Sequence, residues 1–328
     1  MKVLVTGGSG YVGSHTVREL VRHGHAVVIY DNLSTGFREL SRGFDLVEGD
    51  IADVDKLSHY LQGADAVMHF AASAYVAESV SNPRKYFRNN VESALKLLDA
   101  ILASDVRRFI FSSTCATYGN PKRLPICEDS SKDPINPYGA TKLFLEHALA
   151  AYSFSHGLRY ATLRYFNAAG AHANGEIGEI HDPETHLIPL ALKAVLGSAP
   201  PLTVFGKDLD TPDGTCVRDF IHVSDIAAAH VLAAEHLAAG GDSITLNLGT
   251  GRGTSIAELL GVVERISGRK VPHVYSGARA GDPATLYADP SGAKEVLGWQ
   301  ATRDLDEIVR SAWKWEQKLQ ANSFPNKG

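Results

Sequence analysis

The chain has 328 residues, 44% of them hydrophobic, which is enough to bury a large core and to build more than one domain. The formal net charge is -5 and the charges are interspersed, which excludes a basic stripe for nucleic acid and a basic amphipathic helix for membranes. Three widely spaced cysteines, Cys115, Cys127 and Cys216, argue against a disulfide framework and a zinc cluster.

Short β-branched segments alternate with longer helix-type segments in the first half of the chain. We predict strands at residues 2–6, 26–31, 44–48, 66–70 and 108–112, and helices at 14–23 and 86–104. Strand and helix in alternation indicate βαβ units, and hence a parallel sheet with helices on both faces. The predicted fold class is therefore α/β, with a doubly wound parallel sheet of the Rossmann type.

The pattern changes after about residue 168. Gly, Pro and Asp become frequent at 170–189 and 206–214, which predicts a smaller, loop-rich α/β lobe. Helices are predicted again at 224–239, 255–267 and 305–319, and residues 243–249 are predicted to add a strand to the first sheet. We expect the first domain over 1–167 and about 216–250, and the second lobe over 168–215 and 251–328.

No apolar run approaches the length of about 18 residues that a membrane span needs. The first seven residues form too short an apolar run for a signal peptide and predict a strand that meets a turn. We therefore expect a cytoplasmic protein with no membrane or nucleic-acid partner.

Glycines follow the first predicted strand. Gly8, Gly10 and Gly13 fit G-x-G-x-x-G, and Gly7 with the latter two fits the variant G-x-x-G-x-x-G. Glycine allows the tight turn, the close approach of backbone to a pyrophosphate, and close helix–strand packing. A strand precedes the motif and an amphipathic helix follows it, so the N-terminal N–H groups of that helix would face the phosphates. This context predicts a dinucleotide site.

Asp31 ends the second predicted strand, eighteen residues after Gly13. A carboxylate at this place accepts hydrogen bonds from a ribose 2′-hydroxyl and repels a 2′-phosphate, which favours NAD over NADP. Asp50 and Ile51 follow the third strand and suit a place beside the adenine. A plain helix cap is an equally good interpretation of Asp50.

Tyr138 and Lys142 lie four residues apart at the start of a predicted helix, so they share one helix face. A phenol with a pKa of about 10 is a poor base, and lowering that pKa by about three units requires about 4 kcal/mol of preferential phenolate stabilisation. The Lys142 ammonium and a positive nicotinamide ring are suitable sources. Upstream, Ser112, Ser113 and Thr114 place hydroxyls at a strand's carboxyl end, where parallel sheets bind ligands.

At this point a family resemblance becomes visible. Residues 6–13, 31–32, 69–72, 112–114, 138–142 and 164–167 resemble the extended short-chain dehydrogenases/reductases. Residues 183–189, 211–223, 247–251 and 279–282 resemble the UDP-glucose 4-epimerases (UDP-galactose 4-epimerases) within them. The resemblance covers essentially the whole chain in order, and it implies an NAD-binding first domain and a UDP-sugar-binding second lobe.

The resemblance implies an isomerase that interconverts UDP-glucose and UDP-galactose through a transient 4-keto sugar. Tyr138 would remove the proton from the 4-hydroxyl while C4 gives a hydride to tightly bound NAD. Thr114 would hydrogen-bond the same oxygen, and Lys142 would hold the nicotinamide ribose and tune Tyr138. The ketose would then turn over and take the hydride back from NADH on its other face.

The motifs and the resemblance together give two sets of expected binding residues. The expected cofactor-binding residues are Gly7, Gly10, Tyr11, Val12, Gly13, Asp31, Asn32, Asp50, Ile51, Phe70, Ala71, Ala72, Asn89, Ser112, Tyr138, Lys142 and Tyr165. The expected substrate-binding residues are Thr114, Tyr138, Phe166, Asn167, His186, Leu187, Thr203, Val204, Phe205, Arg218, Arg279 and Asp282. Either arginine suits phosphate oxygens, because a guanidinium is planar and permanently charged. A solvent-facing loop histidine is an equally good interpretation of His186.

Two positions depart from the family pattern. Some epimerases carry a lysine near the cofactor phosphates where this chain has Ala74, so one charge contact with NAD is missing or comes from elsewhere. The position that lines the sugar pocket in relatives is Leu286, which leaves acceptance of N-acetylated sugars open.

A dense group of ionisable residues invites a metal interpretation. The group is Glu179, His181, Asp182, Glu184 and His186. It lacks helical H-x-x-x-H spacing and lies in a Pro-containing segment, so we expect no metal site.

Several alternatives remain. A UDP-xylose/UDP-arabinose or a UDP-N-acetylhexosamine 4-epimerase would use the same groups. A non-catalytic NAD-binding protein would not need Thr114, Tyr138 and Lys142 together. Sugar dehydratases need an acid and a base after the strand-end threonine, whereas this chain has Cys115 and Ala116. The resemblance also implies a homodimer, formed through the helices that contain Leu95 and Leu145.

Overall fold

The computed structural model of the chain describes residues 1–278 and 283–321. The strands in these residues are β1 (Lys2–Thr6), β2 (Ala26–Asp31), β3 (Asp45–Glu48), β4 (Ala66–His69), β5 (Arg108–Thr114), β6 (Arg159–Tyr165), β7 (Asn167–Ala169), β8 (Leu202–Phe205), β9 (Val217–Arg218), β10 (Phe220–His222), β11 (Ile244–Leu248), β12 (Thr254–Ser255), β13 (His273–Ser276) and β14 (Thr285–Leu286). The helices are α1 (Tyr11–Arg22), α2 (Val54–Leu61), α3 (Val76–Ser81), α4 (Pro83–Tyr86), α5 (Ser93–Leu102), α6 (Pro137–His156), α7 (Leu187–Leu196), α8 (Val223–Ala238), α9 (Ile256–Ser267), α10 (Ser291–Leu297) and α11 (Leu305–Ala321). None of these helices combines the length and apolarity that a membrane crossing requires.

Seven strands form one parallel sheet in the order β11-β6-β5-β4-β1-β2-β3. In β1, Val3 and Val5 pack into the core on one face of the sheet and Leu4 packs into the core on the other. Burial on both faces is what a parallel sheet requires, and it explains why β1 is apolar throughout. The strand order reverses between β1 and β4, which opens a crevice at the carboxyl ends of the strands.

Helices cover both faces of this sheet. Helices α1 and α8 pack on the face of Val3, where Val17 and Ile226 are fully buried. Helices α2, α5 and α6 cover the other face, where Leu57 and Leu149 are fully buried. The prediction of an α/β, doubly wound, Rossmann-type sheet is confirmed.

The segments outside the large sheet share a third core. Helices α7, α9 and α11 pack together around Leu192, Leu259 and Ile308. Three small sheets accompany them, β10-β7, β12-β9-β14 and β13-β8. The predicted strand at 243–249 is β11, which pairs with β6 at the edge of the large sheet. The proposed division into two domains stays a prediction.

The sequence prediction differs from the structure at two elements. Strand β5 continues to Thr114, two residues beyond the predicted end, so the hydroxyl residues belong to the strand itself. The helix predicted over 86–104 is interrupted by a π-helical segment at Phe87–Glu92. The extra residue of this segment turns Asn90 inward, where its Nδ2 donates to the Ser73 carbonyl at 2.9 Å and to Thr141 Oγ1 at 3.1 Å.

A buried ion pair connects α6 to the central strands. Arg164 on β6 donates from Nη2 to Oε2 of Glu146 on α6 at 2.5 Å, and Ser113 on β5 donates to Oε1 of the same carboxylate at 2.5 Å. Nη1 of Arg164 donates to the Tyr118 hydroxyl at 2.8 Å, and that hydroxyl donates to Asn247 Oδ1 at 2.7 Å. This polar network joins three neighbouring strands to the helix that begins with the Pro137-Tyr138 pair.

We predict that Glu146→Gln lowers the free energy of unfolding by about 3 kcal/mol, because it leaves the Arg164 charge buried and uncompensated. Urea denaturation of the purified protein measures the change. The control is Glu92→Gln, which breaks an exposed pair with Lys96 and is expected to cost less than about 1 kcal/mol. Equal losses for the two variants would contradict a structural role for the buried pair.

Candidate active site

A cavity of about 630 Å³ opens where the strands of the large sheet end. Its wall includes Gly7 after β1, Asp31 at the end of β2, Phe70 after β4, Thr114 at the end of β5 and Tyr165 at the end of β6. The complete set of predicted site residues that line it is Gly7, Gly10, Tyr11, Val12, Gly13, Asp31, Asn32, Ile51, Phe70, Ala71, Ala72, Asn89, Ser112, Thr114, Tyr138, Tyr165, Phe166, Asn167, His186, Leu187 and Arg218.

Five other predicted site residues are not in this set. Thr203, Val204 and Phe205 belong to β8, which pairs with β13, and they are not among the described residues that line the cavity. Arg279 and Asp282 lie outside the described residues.

Lys142 and Asp50 are not among the described residues that line the cavity. Lys142 is buried under the wall formed by Ser112. The Asp50 side chain accepts from the Ala52 backbone N–H at 2.9 Å and from Asn32 Nδ2 at 3.0 Å, while the cap of α2 is Asp53. The helix cap that we considered for Asp50 is wrong, because Asp53 caps α2 and Asp50 closes a turn before it. The place of Asp50 beside the adenine stays a prediction.

The glycine turn leaves no room for larger side chains. Gly7 has φ +75°, and a Cβ on it would lie 2.4 Å from the Ala71 backbone nitrogen. A Cβ on Gly13 would lie 2.3 Å from the Gly7 carbonyl oxygen. Helix α1 begins at Tyr11 with no side-chain cap and no acidic residue in its first turn. The bare turn and the uncapped helix end therefore fit a dinucleotide diphosphate, which their backbone N–H groups can approach closely.

Asp31 is held in one orientation by two backbone donors. The N–H of Ser9 donates to its Oδ2 at 2.9 Å and the N–H of Leu33 donates to its Oδ1 at 2.8 Å. The first of these bonds ties the end of β2 to the glycine turn. Each carboxylate oxygen has a second lone pair, so the group remains suited to accept ribose hydroxyls.

Three side chains converge where β5 and α6 meet. Asn136 caps α6 through the Gly139 N–H at 2.8 Å, which places Tyr138 in the first turn, where it is 9% exposed. Lys142 follows one turn later, and its Nζ donates to the Ser112 carbonyl at 2.8 Å and lies 5.9 Å from the Tyr138 ring. Thr114 lies within hydrogen-bonding reach of the Tyr138 phenol and acts to lower its pKa.

The protein's own groups favour the neutral forms of both Tyr138 and Lys142. Burial and the nearby Tyr165 raise the pKa of Tyr138 well above its usual value, and Thr114 opposes them only in part. Burial lowers the pKa of Lys142 to about 7, against an opposing effect of Glu146. The expected depression of the phenol pKa by Lys142 is therefore outweighed by desolvation of the phenolate.

A cluster of imidazoles and carboxylates lies on the other side of the cavity. The Oε1 atom of Glu179 accepts a hydrogen bond from Nδ1 of His186 and lies 3.3 Å from Nδ1 of His181. With Glu184, these residues bring their possible metal-ligand atoms within 4.8 Å of one another. The expectation of no metal was based on the lack of helical H-x-x-x-H spacing, a criterion that does not apply to residues of a folded loop. The expected lack of a metal stays a prediction.

The sequence interpretation missed some of the cavity wall. Glu179 and His181 line it, as do residues 34–36 and 73–77. Of the last two segments, the family resemblance singled out only Ala74. The other signal is that these segments follow β2 and β4, at the edge of the sheet where ligands bind.

Comparisons with known proteins agree with this geometry. The model of the NAD dependent epimerase/dehydratase family matches residues 3–249. A UDP-glucose 4-epimerase of Rhizobium leguminosarum bv. trifolii is 52% identical over 96% of this chain and 97% of its own length. The UDP-glucose 4-epimerase structure from Brucella ovis in complex with NAD is 55% identical, with a TM-score of 0.93 over 95% of this chain and 97% of that one.

A second solved structure, from Stenotrophomonas maltophila, is a UDP-glucose 4-epimerase with bound NAD and formylated UDP-arabinopyranose. It is 42% identical, with a TM-score of 0.95 over 98% of this chain and 99% of that one. Both the matched family model and these relatives extend across the sheet, the glycine turn and the Tyr138 region. The chain belongs to the NAD-dependent epimerase/dehydratase family.

Proposed function

We propose that this chain is an NAD-dependent isomerase that interconverts UDP-glucose and UDP-galactose by epimerisation at C4. The observation that carries the proposal is the joint position of Thr114 and Tyr138 in one cavity with a glycine turn shaped for a dinucleotide. The full-length similarity to UDP-glucose 4-epimerases supports the same reaction.

The glycine turn, the start of α1 and Asp31 are the groups that would hold NAD. When bound, NAD supplies a positively charged ring and the reversible redox capacity at the sugar C4, so that one stereocentre is inverted without net oxidation. A carboxylate at Asp31 favours NAD over its 2′-phosphorylated form, because two anions would repel.

Tyr138 is the proposed acid and base. Its phenol takes the proton of the 4-hydroxyl when the ketone forms and returns it when the ketone is reduced. Thr114 donates to, or accepts from, the same oxygen and keeps it within reach. Lys142 lies one helical turn away, and its N–H bond to the Ser112 carbonyl holds Nζ 5.9 Å from the Tyr138 ring.

The nucleotide part of the substrate is assigned to the side of the cavity that faces β9 and α7. Arg218 lines the cavity, and one of its nitrogens donates to the Val217 carbonyl at 2.9 Å, which orients the guanidinium. A planar, permanently charged group suits diphosphate oxygens. Asn167 and Leu187 lie on the same side. The Stenotrophomonas relative, which binds a UDP-sugar derivative, supports this class of substrate.

We expect purified protein to convert UDP-galactose to UDP-glucose with no cofactor added, because NAD is regenerated in each cycle and stays bound. Sugar analysis by chromatography measures the conversion. UDP-xylose and UDP-N-acetylglucosamine, run side by side, are expected to give lower kcat/KM values. A higher value for either would replace the proposed substrate, and no conversion of any UDP-sugar even with added NAD would refute the reaction.

Tyr138→Phe is expected to lower kcat about 100-fold or more, because it removes the group that transfers the proton. NAD content should stay unchanged, since the ring is kept. The matched control is Tyr152→Phe on the same helix, where the lost hydroxyl bonds Asp99 at the surface; its kcat should equal that of the wild type. Normal turnover of the Tyr138 variant would refute the assigned role.

We infer that the chain forms a homodimer through α5 and α6, the helices that contain Leu95 and Leu145. Leu145 itself points into the core, whereas its neighbour Phe144 is 48% exposed and Phe154 on the same helix is 94% exposed. Exposed aromatic side chains on one packed pair of helices support a self-association surface.

Phe144→Asp is expected to convert the dimer to a monomer, because the partner surface cannot hydrate a buried carboxylate. Light scattering coupled to gel filtration measures the mass. The control is Val274→Asp on β13, another exposed apolar residue, which should leave the mass unchanged. A wild-type protein that elutes as a monomer at all concentrations would overturn the inference.

A further inference from the structure

Two bound diphosphates would need more positive charge in the cavity than the residues described so far supply. NAD and a UDP-sugar each carry a diphosphate. Among the described residues that line the cavity, Arg218 is the only lysine or arginine, and it belongs to the nucleotide-sugar side. The segment 71–77 that follows β4 beside the glycine turn contains neither lysine nor arginine.

His181 lies at the dinucleotide side of this cavity. Its ring stands edge-on to Tyr11, the first residue of α1, with 6.3 Å between the ring centroids. It also stands edge-on to Tyr75 in the segment after β4, at 5.7 Å. The side chain is 16% exposed and lines the cavity. The imidazole therefore lies against the side chain of the first residue of α1, on the wall of the same cavity.

Two carboxylates determine the charge and the orientation of His181. Its Nδ1 lies 3.3 Å from Oε1 of Glu179 and 3.6 Å from Oε1 of Glu184. Burial acts to lower the pKa of His181, but these carboxylates outweigh it and raise the pKa to about 9. Because Nδ1 faces the carboxylates, the second N–H, at Nε2, lies on the opposite edge of the ring.

Each of the two carboxylates also faces a second basic group. Glu179 accepts a hydrogen bond from His186, whose pKa is also raised. Oε2 of Glu184 lies 4.0 Å from Nζ of Lys193 on α7. Glu316 on α11 lies nearby, and burial raises its pKa to about 7. The phenols that face His181, Tyr11 and Tyr75, both have raised pKa values and stay neutral. His181 is therefore not the only basic group that either carboxylate faces.

We propose that His181 is the cation that binds the diphosphate of the cofactor, and that Glu179 and Glu184 are positioning residues that keep it charged and oriented. This inference rests on the proposed function, in which NAD is the resident cofactor. His181 thereby supplies, from the other side of the cavity, the positive charge that the segment after β4 lacks because it carries Ala74.

The test is retention of NAD in His181→Gln, which keeps a hydrogen-bonding side chain and removes the charge. We expect NAD to dissociate about 10-fold to 100-fold faster than from the wild type, the effect of one lost charge-assisted hydrogen bond. Released NAD is measured by absorbance after rapid gel filtration, independently of turnover. The control is His156→Gln at the exposed end of α6, which should retain NAD like the wild type.

A second variant separates charge from structure. Ala74 lines the same cavity and is exposed, so Ala74→Lys places an ammonium on the segment after β4. In the His181→Gln background, Ala74→Lys should restore NAD retention to within about 3-fold of the wild type. If His181 had only a structural role, the added lysine would leave NAD retention impaired. Retention that is unchanged in His181→Gln, or that Ala74→Lys does not restore, overturns the proposal.

The pH dependence gives an independent readout. A raised pKa means that the charge of His181 is present below pH 9 and disappears as the pH rises through about 9. NAD dissociation from the wild type should therefore accelerate across this range, and His181→Gln should be fast throughout. Equal pH profiles for the two proteins contradict the assignment. A wild type that neither contains nor binds NAD refutes the proposed function itself, and this inference with it.

Discussion

The buried pairing of Arg164 with Glu146 is the interaction on which the geometry of the site depends. It fixes α6 against β5 and β6, and Tyr138 and Lys142 lie on the first turns of that helix. The same helix is tied to β5 a second time, where Lys142 donates to the Ser112 carbonyl. Burying so many charges is costly, and the cost is offset only because every partner is satisfied. These two connections keep the first turns of α6, and with them Tyr138, in a fixed place beside the end of β5.

The sequence predicts the sheet and the cofactor half of the cavity well, because both depend on local patterns. Alternating apolar strands and helices determine a parallel sheet, and a glycine at position 7 or 13 is required wherever backbone approaches this closely. The place of Tyr138 followed from the same logic, since a helix start beside a strand end points into the crevice. Asp31 at the end of β2 is a similar case.

The remaining features of the site depend on contacts between segments that are far apart in the sequence or irregular in structure. The periodicity of apolar residues carries no information about such contacts. The grouping of Glu179 with His181 needs a loop that folds back, and the spacing of residues along the chain says nothing about it. Burial raises the pKa of Tyr138 in the protein without cofactor, and a helical spacing reveals a neighbouring lysine but not how deeply both groups are buried. The lowering expected from Lys142 together with the nicotinamide ring stays a prediction. The β8 residues at 203–205, expected at the substrate, pair with β13 and are not among the described residues that line the cavity.

The π-helical segment at Phe87–Glu92 has a consequence for how this chain can vary. One additional residue is accommodated there, and it is what aims the Asn90 amide at Ser73 and Thr141. Deleting a single residue would restore ordinary winding and rotate the preceding helix by about 100°, carrying the amide away from both partners. The segment can therefore exchange side chains on its outer surface during divergence, while its length is held constant by the cavity it supports.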